Sequence, residues 1–311
     1  MHIHETDLLE TEGRDIRAPE LDLMDTGELL HWINREDHTV PEAVKRAIPA
    51  ITEAVHVIAG VLERGGRLFY VGAGTSGRLG VLDAYECPPT FGTPPELVQA
   101  VVAGGADALQ ADETAEDCMD SGAADLAALN LCGADAVVGL AASGRTPYVL
   151  GALKYAGSLG AAAIAISCVR NPAIGVHALV SIEVPVGPEV LTGSTRLKAG
   201  TAQKLVLNMI STAVMIRLGK VYGNLMVDLQ PTNGKLRRRA ARMTALAAGT
   251  DETEAAGALA LCGYNVKSAI LMLKRGLSAE AAAASLARAG GNLRRALEME
   301  QATGPIPEGG A

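Results

Sequence analysis

Five short apolar segments, separated by segments of helical periodicity, constrain the fold of this chain more than any other feature. They are R-L-F-Y-V (67–71), L-V-Q-A-V-V (97–102), A-V-V-G-L-A (136–141), A-A-A-I-A-I (161–166) and L-V-S-I-E-V (179–184). Apolar runs of this length are typical of buried strands. Strands that alternate with helices imply right-handed crossovers and a parallel sheet with helices on both faces. The sequence therefore predicts an α/β fold with a three-layer parallel sheet.

Helical periodicity predicts the remaining elements and the division of the chain. Apolar residues recur at helical spacing over 40–62, and Gly65 and Gly66 are expected to end that helix. Further helices are expected over 26–33, 113–129, 148–156 and 195–218. Two similar stretches, G-Y-N-V-K-S-A-I (263–270) and G-G-N-L-R-R-A-L (290–297), predict repeated helix–turn–helix units near the C-terminus. The predicted division is an N-terminal arm (1–40), the sheet domain (41–240), a small all-helical, UBA-like domain (241–300) and a flexible tail (301–311).

Composition and charge exclude several classes of protein. Hydrophobic residues make up 49% and charged residues 20% of the 311 residues, which is a globular composition. The net charge of −8 argues against nucleic-acid binding. No apolar run approaches about 18 residues and the N-terminus lacks a signal-peptide pattern, so neither a membrane span nor secretion is expected. The five scattered cysteines are expected to be reduced thiols in the cytoplasm.

The first predicted strand leads into a loop suited to bind an anion. The loop is G-A-G-T-S-G-R-L-G (72–80), and it opens a predicted helix. Glycine lets the backbone approach an anion closely, and the free N–H groups and macrodipole of a helix N-terminus favour negative charge. Thr75 and Ser76 add hydroxyl donors. The spacing of the glycines also fits the dinucleotide motif G-x-G-x-x-G, but no acidic residue ends the second strand to bind a ribose.

A second loop, A-A-S-G-R-T-P (141–147), repeats this chemistry after the third strand. Simple helix capping explains one serine or threonine in each loop, but not two clusters of Gly, Ser and Thr. Two hydroxyl-rich loops at the carboxyl ends of parallel strands can converge on one ligand where the strand order switches. The two loops therefore favour a phosphate monoester over a dinucleotide.

The two loops, together with three further segments of the chain, resemble a known family. S-G-x-T after a strand resembles the sugar isomerase (SIS) domain. The segments G-A-G-T-S-G-R-L-G-V-L-D-A-Y-E-C-P-P-T-F-G (72–92) and A-A-S-G-R-T-P-Y-V (141–149) are similar to the N-acetylmuramic acid 6-phosphate etherases. So are T-E-G-R (11–14), G-S-T-R-L-K-A-G-T-A-Q-K (193–204) and Y-G-N-L-M-V-D (222–228). By this pattern Ser76, Ser143 and Thr146 bind a sugar phosphate, with Thr75 close by.

The resemblance implies cleavage of the D-lactyl ether at C3, which yields N-acetylglucosamine 6-phosphate and D-lactate. A base removes the C2 proton of the open-chain sugar, an acid protonates the departing lactate oxygen, and water adds at C3. By resemblance Glu86 is the acid and Glu116 the base. Burial is expected to keep Glu86 protonated near neutral pH, and the prolines that follow it are expected to end its helix. Neither a metal nor a redox cofactor is expected.

Several assignments stay open at the level of sequence. Counting from Glu86 makes Asp117 the base, whereas the motif A-E-D makes it Glu116, and Glu113 is a candidate supporting group. Arg78 and Arg145 are expected to point outward rather than toward a phosphate, and the sequence does not choose between Lys198 and Lys204 as a site residue. The leading hypothesis is a homodimeric lyase that acts on a small phosphosugar. A sugar-phosphate-responsive regulator and a sugar-phosphate isomerase are the alternatives.

Overall fold

A parallel β-sheet of five strands is the central element of the computed structural model, which describes residues 11–105 and 113–302. The strands are β1 (Leu68–Gly72), β2 (Val98–Val102), β3 (Ala136–Leu140), β4 (Ala162–Ser167) and β5 (Val180–Glu183). Their order is β2-β1-β3-β4-β5, and every neighbouring pair is parallel. All five predicted strands are confirmed. The three central strands β1, β3 and β4 are buried almost throughout because they are almost continuously apolar.

The strand order switches between β1 and β3. After β1 the chain crosses to β2 on one side, and after β3 it crosses to β4 on the other side. Gly72 is aligned with Leu140 across this pair, so both strands end at the same level. The two loops that follow these strands therefore begin side by side, as the sequence predicts for a ligand site at a switch point.

Six α-helices lie among the described residues between 26 and 217, mostly in the larger compact unit, which comprises the residues up to 85 and 95–214. They are α1 (Thr26–Asp37), α2 (Thr39–Glu63), α3 (Gly74–Phe91), α4 (Met119–Ala128), α5 (Pro147–Ser158) and α6 (Lys198–Arg217). The helices predicted over 26–33, 40–62, 148–156 and 195–218 are confirmed. The prediction of one helix over 113–129 is wrong. A 3-10 turn (Glu113–Asp117) is separated from α4 by Cys118, which is extended and interrupts the helical hydrogen bonds.

The predicted end of α3 at its proline pair is also wrong. Pro88 and Pro89 lie inside the helix, which continues to Phe91. Each proline lacks an N–H and so removes one hydrogen bond from the preceding turn. The carbonyl of Pro88 still accepts from the N–H of Gly92 at 2.9 Å, which closes the last turn. Gly92, at φ +62°, then ends the helix.

The second compact unit comprises residues 86–94 and 215–311, so the division runs through α3 after Tyr85. It contains the hairpin β6 (Val221–Tyr222) and β7 (Leu225–Met226), then α7 (Gly234–Ala248), α8 (Glu252–Leu261), α9 (Val266–Arg275), α10 (Ala279–Arg288) and α11 (Leu293–Ala302). The predicted border between residues 240 and 241 falls inside α7 and stays a prediction. Within the described ranges no single helix is long and apolar enough to span a membrane, although α8 and α9 together, bent by 113°, pass that test of length and composition.

The two similar stretches of the helical unit have the same local structure. Asn265 accepts a hydrogen bond from the N–H of Ser268 at 2.8 Å, and Asn292 accepts one from the N–H of Arg295 at 3.1 Å. Each asparagine therefore caps the N-terminus of a helix. Left-handed residues precede both asparagines, which ends the previous helix. The repeat seen in the sequence is thus a repeated turn and helix cap.

Candidate functional site

The first loop is compressed into the end of β1 and the first turn of α3. Gly72 ends the strand and α3 begins at Gly74, so Thr75 and Ser76 lie in the first helical turn. A Cβ on Gly77 would lie 2.7 Å from the carbonyl oxygen of Gly72, a distance that Cβ atoms do not adopt. Glycine at 77 therefore lets the helix begin directly against the end of the strand. This brings the backbone N–H groups of the first turn to the carboxyl edge of the sheet.

The hydroxyl residues of the first loop lie against α6. Ser76 is buried, and its Oγ donates a hydrogen bond to Oε1 of Gln203 at 2.9 Å. Thr75 is half-buried, and its Cγ2 lies 3.6 Å from the position that a Cβ on Gly200 would occupy. Because Gly200 and Gln203 are three residues apart on α6, one face of that helix contacts the first turn of α3.

The second loop joins β3 to α5. Gly144 has φ +70°, and a Cβ there would lie 2.4 Å from Cβ of Pro172, so the turn requires glycine. Ser143 and Thr146 are half-buried. Thr146 is the N-cap residue of α5 and Pro147 its first residue, yet the Thr146 side chain makes no capping hydrogen bond. Helix capping therefore does not account for the threonine hydroxyl, which leaves it able to bind a ligand.

The helix N-termini give this edge of the sheet a positive potential. The N-termini of α3 and α5 follow neighbouring strand ends, and neither helix carries an acidic residue in its first turn. The third N-terminus nearby, that of α6, is already neutralised. Both carboxylate oxygens of buried Glu189 accept hydrogen bonds there, from the N–H groups of Lys198 and Ala199. The two loops are thus the N-termini that remain suited to an anion.

The groups around Glu189 do not supply a nucleophile. Burial raises the pKa of the Cys168 thiol well above its usual range, and the nearby Glu189 carboxylate raises it further. Burial also raises the pKa of Glu189 itself, although the hydrogen bonds that it accepts from two backbone N–H groups lower this pKa. Cys168 therefore stays protonated at neutral pH, and covalent catalysis by this thiol is disfavoured.

Glu86 lies in the second half of α3, in the second compact unit, and its side chain is exposed. The expected burial of Glu86 is wrong for the single chain. The buried residues of this half of α3 are Asp83, Ala84, Cys87 and Phe91, and Glu86 faces away from that stripe.

Glu116 lies in the 3-10 turn before α4, and both Glu116 and Asp117 are exposed. This turn packs against α5, the helix that begins at the second loop. Just after the turn, the carbonyl of Met119 lies so close to Gly151 of α5 that a Cβ on the glycine would be 1.8 Å away. The structure thus places Glu116 and Asp117 in one turn beside the same helix, and the choice between them stays a prediction.

The four basic side chains that are candidate site residues by sequence lie at different positions. Arg78 lines a cavity of about 570 Å³ between α3, β2 and α4, on the β2 side of α3. None of the four loop hydroxyl residues lines that cavity. Arg145 is half-buried in the second loop. Lys198 is buried with its Nζ 3.0 Å from Oε2 of Glu36, whereas Lys204 is exposed on α6.

Comparison with known proteins identifies the family. The chain is 54% identical over 290 residues to the N-acetylmuramic acid 6-phosphate etherase of Mycolicibacterium smegmatis, which covers 93% of this chain and 97% of the relative. It is 55% identical over 292 residues to the etherase of an Exiguobacterium species, which covers 94% of this chain and 99% of the relative. The chain belongs to the N-acetylmuramic acid 6-phosphate etherase family.

A family model and a solved structure also match part of the chain. Residues 50–157 match the family model of the glucokinase regulatory protein N-terminal SIS domain. Among solved structures, a phosphoheptose isomerase from Neisseria gonorrhoeae is 19% identical, covers 60% of this chain and 97% of its own, and has a TM-score of 0.48. That similarity is too low to support an inference about the reaction of this etherase-family chain.

Sequence reasoning missed two buried polar groups of this family member. Asp83 accepts hydrogen bonds from the side chains of Tyr70, Asn208 and Ser211 at 2.9, 2.8 and 3.1 Å, which fixes α3 to β1 and α6. Gln203 contacts Ser76 from the face of α6 that packs against the first turn of α3. A polar residue at helical spacing between Ala199, Ala202 and Val206 was the available signal, because such residues are buried only with a partner.

Proposed function

We propose that this chain is an N-acetylmuramic acid 6-phosphate etherase. It cleaves the D-lactyl ether at C3 of its phosphosugar and yields N-acetylglucosamine 6-phosphate and D-lactate, as a carbon–oxygen lyase of cell-wall amino sugar recycling. The observation that carries the proposal is the pair of hydroxyl loops at the ends of β1 and β3, in a chain 54% identical to a named etherase over 93% of its length.

The 6-phosphate binds between the two loops in this proposal. Thr75, Ser76, Ser143 and Thr146 donate their hydroxyl protons to phosphate oxygens, and the first-turn N–H groups of α3 and α5 add backbone donors. Support comes from the aligned strand ends and from the Thr146 hydroxyl that does not cap its helix. Because the whole chain has a net charge of −8, these local donors must provide the attraction for the dianion.

The reaction needs one base and one acid. Opening of the sugar ring places an aldehyde at C1, which acidifies the C2 proton. Glu116 removes that proton while the C3–O bond breaks and a C2–C3 double bond forms, and Glu86 delivers a proton to the lactate oxygen. Water then adds its oxygen to C3 and a proton returns to C2, so the overall change is hydrolysis of the ether. The assignment of both roles rests on the family motifs E-C-P-P-T and A-E-D.

A homodimer is part of the proposal because Glu86 is exposed in the single chain. Leu82 and Tyr85, beside it on α3, are 51% and 78% exposed. Large apolar side chains grouped on one helix face are typical of a protein interface. A second copy that covers this face would bury Glu86. Sedimentation analysis tests this: a dimer that Tyr85→Ser dissociates supports it, and a wild-type monomer contradicts it.

The cytoplasm is the proposed location. The five cysteines are free thiols, two of them buried and two exposed. Exposed thiols persist in a reducing compartment. The proposed ligand of the chain is a small phosphosugar, and neither nucleic acid nor a membrane is a proposed partner.

Product analysis in isotopically labelled water tests the reaction. The elimination–addition route predicts one solvent deuterium at C2 and one solvent ¹⁸O at C3 of the N-acetylglucosamine 6-phosphate, with unlabelled D-lactate. Direct displacement at C3 would leave the original hydrogen at C2. A ketose product without lactate would instead show an isomerase, and tight binding without any turnover would show a regulator.

A further inference from the structure

The side-chain amide of Gln203, next to the first loop, has a hydrogen-bond partner for its oxygen but not for its nitrogen. Its side chain is buried, with 1% of the residue exposed, on the face of α6 that contacts α3. Oε1 accepts the hydroxyl proton of Ser76 at 2.9 Å. Within the described part of the chain, Nε2 of the same amide is buried without any hydrogen-bond partner. A buried N–H group without an acceptor is destabilising and rare.

In this arrangement the Ser76 hydroxyl donates its proton to Gln203, so that the proton is not available to a phosphate. A serine hydroxyl has one proton to donate and two lone pairs that accept. While that proton points to Oε1 of Gln203, Ser76 presents only lone pairs toward the loop, and lone pairs repel a phosphate oxygen. A ligand that needs the Ser76 proton must therefore change the contact between Ser76 and Gln203.

Rotation of the Gln203 amide by 180° resolves both problems. Nε2 then takes the place of Oε1 and donates one of its two N–H groups to a lone pair of Ser76, so that Nε2 is no longer without a partner. The Ser76 proton is released toward the loop, where it makes a charge-assisted hydrogen bond to a phosphate oxygen. The amide oxygen loses its donor, but an under-satisfied carbonyl is better tolerated than an orphaned N–H.

We propose that Gln203 is a positioning residue of the phosphate site, which donates to Ser76 and thereby directs the Ser76 hydroxyl proton at the ligand. This inference rests on the proposed function, because it takes Ser76 to bind the 6-phosphate. The packing of α6 supports it: Gly200, three residues earlier, lets the same helix face approach Thr75. Gln203 thus makes the orientation of one loop hydroxyl depend on α6.

The test is the affinity for N-acetylglucosamine 6-phosphate, measured by titration calorimetry, and the kinetics of D-lactate release. Gln203→Met keeps the size and apolar surroundings of the side chain but removes both amide groups. We expect Kd and KM to rise about 10-fold, the effect of weakening one hydrogen bond to a charged group, while kcat changes less than about 3-fold. Gln203→Asn keeps the amide on a shorter side chain and is expected to show the same loss.

A double-mutant cycle shows whether Gln203 acts through Ser76. In the S76A background, Gln203→Met should change Kd by less than about 2-fold, because the hydroxyl that it positions is gone. Ser211→Ala is the matched control: it removes another buried hydrogen bond of α6, to Asp83, and should lower stability without changing Kd.

The outcomes separate this inference from the proposed function. An unchanged or lower Kd in folded Gln203→Met or Gln203→Asn protein, or full additivity with S76A, would overturn the inference while wild-type lactate release upheld the function. If the wild type binds the phosphosugar but releases no D-lactate, the proposed function fails and the Kd series still tests Gln203.

Discussion

At the scale of single residues, the proposed site divides into a part that would bind the phosphosugar and a part that would react with it. The hydroxyls proposed to bind the phosphate lie in two short loops whose glycines are required by close contacts, such as that of Gly77 with the Gly72 carbonyl. The two carboxylates are different. Glu86 and Glu116 are both exposed, and the resemblance to the family assigns their roles. Their substitution is therefore expected to change turnover more than binding.

Glu86→Gln and Glu116→Gln should impair different halves of the reaction. Each variant is expected to bind N-acetylglucosamine 6-phosphate within about 3-fold of the wild type and to lose about 10²–10⁴-fold in kcat for D-lactate release, the usual contribution of an acid or base. Glu86→Gln should still exchange the C2 proton with solvent deuterium, because the base is intact, whereas Glu116→Gln should not. Glu53→Gln, on exposed α2 surface, is the control. Full lactate release by Glu86→Gln would contradict its role.

At the scale of secondary-structure elements, the sheet could be predicted and several boundaries could not. Short apolar runs predict all five strands, because a strand that is covered on both faces of a sheet needs apolar side chains on both faces. Pro88 and Pro89 mislead because a helix tolerates the lost hydrogen bonds when its last turn is closed by Gly92. The Gln203–Ser76 contact joins residues 127 positions apart, and no local pattern specifies such a pair. The exposure of Glu86 depends on which face of α3 packs inward.

The starts of β1 and β3, the strands that carry both loops, are joined by one buried carboxylate. Asp135 accepts from the backbone and the guanidinium of Arg67, and also from the N–H of Cys132. Burial acts to raise the pKa of Asp135, but these hydrogen bonds outweigh it and hold the pKa below its usual value. The Asp135 carboxylate therefore stabilises the fold at pH values above 3.8, the ordinary pKa of an aspartate. That contribution disappears as the pH falls through the lowered pKa of Asp135 in the folded state.

Asp135→Asn should consequently lower stability in a pH-dependent way. At pH 7 we expect a loss of about 2–4 kcal/mol in the free energy of unfolding, because Arg67 loses its buried partner. The gap to the wild type should narrow as the pH is lowered through and below the folded-state pKa of Asp135, measured by urea unfolding at each pH. A gap that stays constant over this range would show that the carboxylate charge does not contribute.

At the scale of the whole molecule, the chain is a sheet unit that holds the loops and a second unit that holds Glu86 and the C-terminal helices. The family relationship extends over more than nine-tenths of the chain, and so includes both units. In the proposed reaction, the loops of the sheet unit hold the 6-phosphate while the ether at C3 is cleaved. Binding energy from the phosphate, remote from the reacting bond, is then used to position that bond.

The role of the phosphate is tested by the rates of D-lactate release from N-acetylmuramic acid 6-phosphate and from N-acetylmuramic acid. The wild type is expected to show a kcat/KM at least about 1,000-fold higher for the phosphorylated sugar, and the double variant Ser143→Ala/Thr146→Val should lose most of that preference. Equal rates for the two sugars, or no D-lactate from either, would contradict the account.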